Sequence, residues 1–325
     1  VVGAGNGLEI QSSNNEIRGL VINRFVTGIA LLGGDGNVVA GNYLGPDPSG
    51  AIGLVGNDNQ GVLVYGASNT LIGGSVIADR NVISGNRLRG IAVDDWSDGV
   101  PYISDGTRII GNYIGTNAAG DARIDNLFDG VRLEGNSSGT VVGSPGNGNV
   151  ISGNTQHGVN INSSDGNTIQ ANYIGTDPTG LIDLGNTLSG IYSDAFNSSN
   201  NVIGGDAAGE GNTIAFNGEG ITLDSGTDNS ILGNDIYSND GLGIDLAGGV
   251  TDDIYGVTSN DPGDADNGPN DLLNYPVITS ATEAAGTITV DFDLDLPAGD
   301  YRIELFKNPG GADPSNHGEG ETYVD

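Results

Sequence analysis

Six side chains able to carry acid, base or charge-balancing chemistry fall into register near the middle of this chain: Arg89, Asp94, Asp129, Arg132, Glu134 and His157. Each sits just before, within or just after a tetrapeptide in which Gly is followed by an apolar, a variable and an apolar residue, as in Gly90-Ile91-Ala92-Val93, Gly130-Val131-Arg132-Leu133 and Gly158-Val159-Asn160-Ile161. If successive tetrapeptides are neighbouring strands, carboxylates one strand apart lie ~5 Å from each other and those two strands apart ~10 Å. Such separations bracket the geometries of retaining and inverting glycoside hydrolysis. In that reading Asp94, Asp129 and Glu134 supply acid, base or nucleophile, with Arg132 and His157 beside them. Trp96, the only Trp, and Tyr102 stand in an insertion next to the patch and are candidates for stacking on a sugar ring. A solvated face with an Arg–carboxylate ladder has the same composition, each cross-strand pair being worth a few tenths of a kcal/mol. That second reading is adopted, so no residue is assigned to catalysis outright.

A second constellation, Asp261, Asp264 and Asp266, alternates with Gly and Pro. Hard divalent cations take such oxygen ligands, and calcium is the cofactor this run suggests. The spacing misses the EF-hand register, because Gly268 comes one place early and no Glu follows at the twelfth position.

The tetrapeptide recurs nine times, from Gly7-Leu8-Glu9-Ile10 to Gly243-Ile244-Asp245-Leu246, at intervals of 21 to 40 residues. A repeat of this size denotes a solenoid. Between copies runs a second motif, Asn, two residues, a small residue and Asn again, seen in Asn37-Val38-Val39-Ala40-Gly41-Asn42 and Asn81-Val82-Ile83-Ser84-Gly85-Asn86. Three copies continue into Asn-Tyr-[Ile/Leu]-Gly, at Asn42, Asn112 and Asn172. Pieces of three to five residues with period-two alternation are strands, and no window carries a helical stripe. Gly and Asn at the breaks accept left-handed backbone angles and let the chain turn without long loops. Three short strands and three corners make one coil of a parallel β-helix. Nine coils give a rod on the order of 40 Å long. The apolar triplet residues point inward, and the corner Asn side chains stack as amide ladders.

Acidic residues outnumber basic ones 42 to 10, for a net charge of −32, and the single Lys is Lys307. That surface repels nucleic acid and anionic membranes, and polyanionic sugars unless a cation bridges them. No stretch is long and apolar enough to span a bilayer. There is no Cys, hence no disulfide staple, and no Met. The first coil opens near Leu8 without a polar cap, which leads us to expect further sequence upstream.

The repeat defines a parallel β-helix over residues 1–249. An acidic linker or cap follows at 250–272. At 273–325 the strands lengthen, in Thr287-Ile288-Thr289-Val290-Asp291-Phe292 and Tyr301-Arg302-Ile303-Glu304-Leu305-Phe306, as in the opening of an antiparallel, immunoglobulin-like β-sandwich. The Gly-Ile-x-Leu and Asn-x-Ile-x-Gly-Asn-Tyr-Ile-Gly patterns resemble right-handed parallel β-helix repeat proteins of the pectate-lyase-like superfamily. The order rod, Asp-Pro-Gly-Asp-Ala-Asp-Asn-Gly-Pro-Asn, then Leu-Leu-Asn-Tyr-Pro-Val-Ile is similar to large bacterial secreted or surface proteins. The resemblance implies a secreted or cell-surface location and covers lyases, hydrolases, epimerases, tailspikes and rods without chemistry. Enzymes of that superfamily use Lys or Arg as base, or runs of which only Asp94-Asp95 and Gln156-His157-Gly158 have echoes here. The expected function is therefore a non-catalytic extracellular stalk, adhesin or filament rod. The alternative is a polysaccharide-active enzyme or sugar-binding module on the outer-face groove. Expected partners are a polysaccharide or cell-surface component and end-to-end copies of the chain, with no nucleic acid and no membrane insertion.

Overall fold

The structure is a computed structural model and describes residues 5–51, 53, 56–94, 103–135, 137–194, 197–247, 256–309, 311 and 319–324. The chain winds into a right-handed parallel β-helix with three sheets. Sheet 1 has nine strands, which number the coils: Leu8–Ile10, Ile29–Leu32, Val62–Tyr65, Ile91–Asp94, Val131–Glu134, Val159–Asn162, Ser189–Ser193, Glu219–Leu223 and Ile244–Leu246. Every Gly tetrapeptide contributes one of them. Sheet 2 runs from Glu16–Arg18 to Ser230–Leu232 and sheet 3 from Val21–Ile22 to Asp235–Tyr237, each with eight strands in sequence order. The described residues hold no α-helix, only two short 3-10 turns at Ile77–Asp79 and Pro269–Leu272.

Register is kept residue for residue. Val131 pairs with Val159, Val159 with Ile191, and Ile191 with Ile221. These side chains are fully buried, together with Ile109, Val142 and Ile169 from sheet 2 and Ile114, Ile151 and Ile174 from sheet 3. The opening Gly of the triplet is required by contact and not by a left-handed turn. A Cβ at Gly130 would lie 2.7 Å from the Gly158 carbonyl oxygen and 2.6 Å from Ile151 Cγ2, and one at Gly158 would lie 2.6 Å from the Gly190 oxygen. Left-handed angles belong to other glycines, such as Gly73, Gly115 and Gly175 at the ends of strands.

Amide ladders hold the corners. Between sheets 2 and 3, Asn42, Asn81, Asn112, Asn149, Asn172, Asn212 and Asn234 form an unbroken column, each Nδ2 donating to the next Oδ1 at 2.8–3.1 Å. After sheet 3 a second column runs from Asn57 through Asn86, Asn126, Asn154, Asn186 and Asn217 to Asn239. Each Oδ1 typically also accepts a backbone N–H, as Asn149 does from Asn112, so the buried amides offset their own desolvation. The corner before sheet 2 differs. Asn15 reaches Asn37, and Asn167 reaches Asn201 and Asn229, but coils 3 to 5 carry Thr70, Thr107 and Thr140 there. Asn37 Nδ2, Thr107 Oγ1 and Thr140 Oγ1 are buried at this interruption without a hydrogen-bond partner.

The Asn-Tyr-[Ile/Leu]-Gly runs open loops that stack outside sheet 3. The Ala118 N–H donates to the Gly50 oxygen at 2.9 Å, and Gly120 lies against the Tyr113 ring. At the C-terminal end, two antiparallel hairpins follow, Val277–Ala284 with Thr287–Asp293 and Leu305–Lys307 with Thr322–Val324. Their surroundings meet the last coils through side chains that extend the corner columns. Glu319 Oε1 accepts from the Asn239 backbone N–H at 3.1 Å and from its Nδ2 at 2.8 Å. Glu304 Oε2 accepts from the Gly233 N–H, and Asn270 Oδ1 from the Asn229 N–H.

Candidate functional site

The inward triplet residues fix where their neighbours point, so the outer face of sheet 1 is built by the residues before, between and after them. In coils 4 to 6 the structure brings together Arg89, Asp129, Arg132, Glu134 and His157. Asp129 is fully buried, with Arg89 Nε at 3.5 Å and Arg132 Nη1 at 3.8 Å. It also accepts from the His157 backbone N–H at 3.4 Å and from Asn160 Nδ2 at 3.5 Å. Arg132 grips Glu134 in the same strand with Nε at 2.8 Å and Nη2 at 3.2 Å. The carboxylates raise the Arg132 pKa further, through the Glu134 hydrogen bond and the charges of Glu134, Asp129 and Asp194, against the lowering effect of burial. Asp94 ends its strand in register with Tyr65, and its backbone oxygen accepts from Ser104. Trp96 and Tyr102 lie outside the described residues.

The face is not the flat, solvated surface expected from its composition. Ala92, Asn160 and Thr222, all at outward middle positions, are buried. A cleft of about 400 Å³ lies further along the rod than the sequence patch, over coils 6 to 8. It is lined by His157, Leu188, Ser189, Tyr192, Glu219 and Thr222, with Thr187 and Gly218. The His157 ring stacks on Tyr192, centroids 4.3 Å apart and planes 7° from parallel. Tyr192 donates its hydroxyl to Asp224 in the next coil, and burial with that bond raises the phenol pKa. Thr222 donates to Glu219 at 2.6 Å and lies 2.9 Å from Ser189 Oγ. Asn162 Nδ2 donates to Asp194 at 2.6 Å. Burial lowers the His157 pKa, although Asp129, Asp194, Glu219 and Asp224 pull it the other way.

Ser189, Tyr192, Glu219, Thr222 and Asp224 were readable in the same aligned columns as Arg132 and His157. The missed signal is that polar residues continue in those columns for two more coils. At the other constellation, carboxylate oxygens of Asp261, Asp264 and Asp266 lie within 4.8 Å of one another. Asp264 accepts from the Asn274 N–H at 2.7 Å, and Asp261 from the Ala265 N–H at 3.0 Å. One Asp266 oxygen is buried without a hydrogen-bond partner, and burial with the charges of Asp261 and Asp264 raises its pKa.

Three parallel sheets wound as a solenoid, with a polar cleft on the face of the first, define a pectate-lyase-like right-handed β-helix. The chain belongs to the family described as periplasmic copper-binding protein (NosD), whose model matches residues 49–239. Two solved structures of the periplasmic alginate epimerase AlgG, one of them a point mutant, are similar to it in fold. Each shares 18% identity and a TM-score of 0.50, covering 74% of this chain and 47% of its own. The chain thus spans about half the length of the solved structures it matches. No curated protein matches the sequence. The family's periplasmic description puts the chain among exported, extracytoplasmic proteins, and no helix among the described residues is long and apolar enough to cross a membrane.

Proposed function

We propose that this chain is a non-catalytic, extracytoplasmic β-helix rod that presents its sheet 1 cleft as a recognition surface. One observation carries the reading: both Arg residues of the central patch are already neutralised by Asp129 and Glu134. A lyase or epimerase acting on an acidic sugar needs a free positive charge for the substrate carboxylate, and a glycosidase needs one carboxyl held protonated near neutral pH. Here Glu219 accepts from Thr222, Asp224 from Tyr192 and Asp194 from Asn162, so each of these carboxylates is already engaged by a neighbouring side chain. The net charge of −32 further disfavours a polyanionic substrate. The test is a panel of neutral and acidic polysaccharides, with no turnover expected. Turnover that vanishes in Glu134→Gln or Asp129→Asn, with the fold intact, overturns the proposal in favour of an enzyme.

The cleft itself supports a binding role. The stacked His157 and Tyr192 rings, flanked by hydroxyls and a carboxylate, suit an uncharged glycan, which needs an apolar ring face and polar edges. Binding of neutral oligosaccharides lost in Tyr192→Ala supports this role. End-to-end association of copies is retained as a proposal; at the last coils, residues 270, 304 and 319 already occupy backbone hydrogen-bonding groups that a second copy would need.

Calcium remains the cation suited to Asp261, Asp264 and Asp266, whose converging oxygens favour the reading. A site of this kind stabilises the fold by mass action. Chelator should then lower the melting temperature, and Asp264→Ala with Asp266→Ala should abolish the difference; an unchanged melting temperature removes calcium from the account.

A further inference from the structure

The family description implies copper, so the donor set of the groove can be weighed against that metal. Copper(I) sites are built from Cys and Met sulfur, and copper(II) sites from imidazole nitrogens. This chain has no Cys and no Met, and its two His residues are His157 and His317. Among the described residues, His157 is the one His and it lines the groove; residue 317 falls outside the described residues.

Its ring is committed by the architecture. In coils 5 and 6, the residue before the tetrapeptide Gly offers its side chain to the backbone N–H at the same position one coil on. Asp129 fills that slot in coil 5, with Oδ1 accepting from the His157 N–H at 3.4 Å. His157 fills it in coil 6, with Nδ1 accepting from the Ser189 N–H at 3.3 Å. The slot demands an acceptor, because the amide facing it can only donate. Nδ1 is therefore the unprotonated nitrogen, and a neutral imidazole then carries its proton on Nε2. A metal-bound His has the opposite arrangement, with one nitrogen on the metal and the other donating to an oxygen. Ligation through Nε2 would move the proton to Nδ1 and set it against the Ser189 N–H. Ligation through Nδ1 would displace that N–H from its only described acceptor. Stacking on Tyr192 at 4.3 Å holds the ring in this orientation, and burial lowers its basicity, so the ring is neutral at pH 7.

We infer that His157 is a neutral hydrogen-bond donor in the cleft, presenting Nε2–H to an oxygen of a bound ligand, and that the groove of this family member is not a copper site. Long-range proton–nitrogen NMR correlations on the labelled chain read the tautomer directly. Nε2–H at pH 7 is expected, and an Nδ1–H tautomer overturns the inference. Copper(I) and copper(II) are each titrated against a competing chromophoric chelator, with the His157→Gln variant alongside. Gln keeps an acceptor for the Ser189 N–H, so its fold is expected to persist. The expected result is no copper uptake, or uptake that His157→Gln leaves unchanged because the metal sits elsewhere. A bound copper whose affinity falls tenfold or more in His157→Gln, or whose addition shifts the wild-type His157 ring resonances, overturns it.

Discussion

On the inner face of sheet 1, coils 5 to 8 present Val131, Val159, Ile191 and Ile221, four aliphatic side chains stacked out of solvent. On the outer face the same strands present Arg132, Asn160, Tyr192 and Thr222, four unrelated chemistries. Each inner residue must fit the one above and the one below at crystal-like density, so the coils converge on Val and Ile. Outer residues need only complete local hydrogen bonds, which leaves each coil free to differ. The regular face makes the rod, and the irregular one makes the cleft. Yet Asn160 and Thr222 are buried and Arg132 and Tyr192 half-buried, so the outer face is not a surface on which substitutions pass unnoticed.

The contrast can be broken from either side. The largest effect is expected at Ile221→Asp, which places an unpaired charge against Ile191 and Ile244. That penalty is several kcal/mol, comparable to the whole stability of a domain, and the chain should be insoluble or unfolded by circular dichroism. Asp129→Ala comes next. It leaves Arg89 without its acid and strands the His157 N–H, for a loss of about 3 kcal/mol in denaturant unfolding. Thr222→Asp, one residue from Ile221 but on the other face, sets a second carboxylate beside Glu219 and removes a bond to it. A loss of about 1–3 kcal/mol is expected. An unaffected Thr222→Asp would mean that the outer face is solvated after all. An effect equal to Ile221→Asp would mean that the faces are misassigned. The smallest effect runs the other way. Thr140→Asn extends the column that begins at Asn167 and should stabilise by about 1 kcal/mol, because a new amide bond forms and an orphaned hydroxyl is removed. A lower melting point for this variant would show that the interrupted corner is too tight for the amide.

The repeat, the three sheets and the inward register were legible because burial imposes the same demand in every coil, and nine Gly tetrapeptides report it. The Asn motif was legible as structural but ambiguous in place. Asn37…Asn42 and Asn167…Asn172 flank sheet 2, whereas Asn81…Asn86, Asn149…Asn154 and Asn212…Asn217 flank sheet 3. The same six residues serve two corners, since either corner needs only a buried amide on each side of a short strand. Left-handed angles occur at break glycines such as Gly115 and Gly175, whereas the Gly of the tetrapeptide has a role the sequence did not report, for its absent Cβ makes room for a neighbouring carbonyl. The cleft was half legible. Arg89, Asp129, Arg132, Glu134 and His157 do converge, but the cleft is lined further along by Ser189, Tyr192 and Glu219 together with Thr187, Leu188 and Gly218. Thr187 and Leu188 precede the aligned columns, so the periodic pattern does not report them. The interruption at Thr70, Thr107 and Thr140 was likewise invisible, because Thr suits strands and only the column above and below shows what it lacks.

Every side-chain amide in the Asn57 to Asn239 column points the same way, N–H toward the C-terminal end and C=O toward the N-terminal end. Aligned amide dipoles add, as they do along an α-helix, and each bond polarises the next. The rod therefore has an electrical direction, with partial positive charge gathered where the last donors emerge at Asn239. Glu319 sits on those donors as an acidic residue sits at the start of a helix. In a chain of net charge −32, that end is a place where one more carboxylate is welcome.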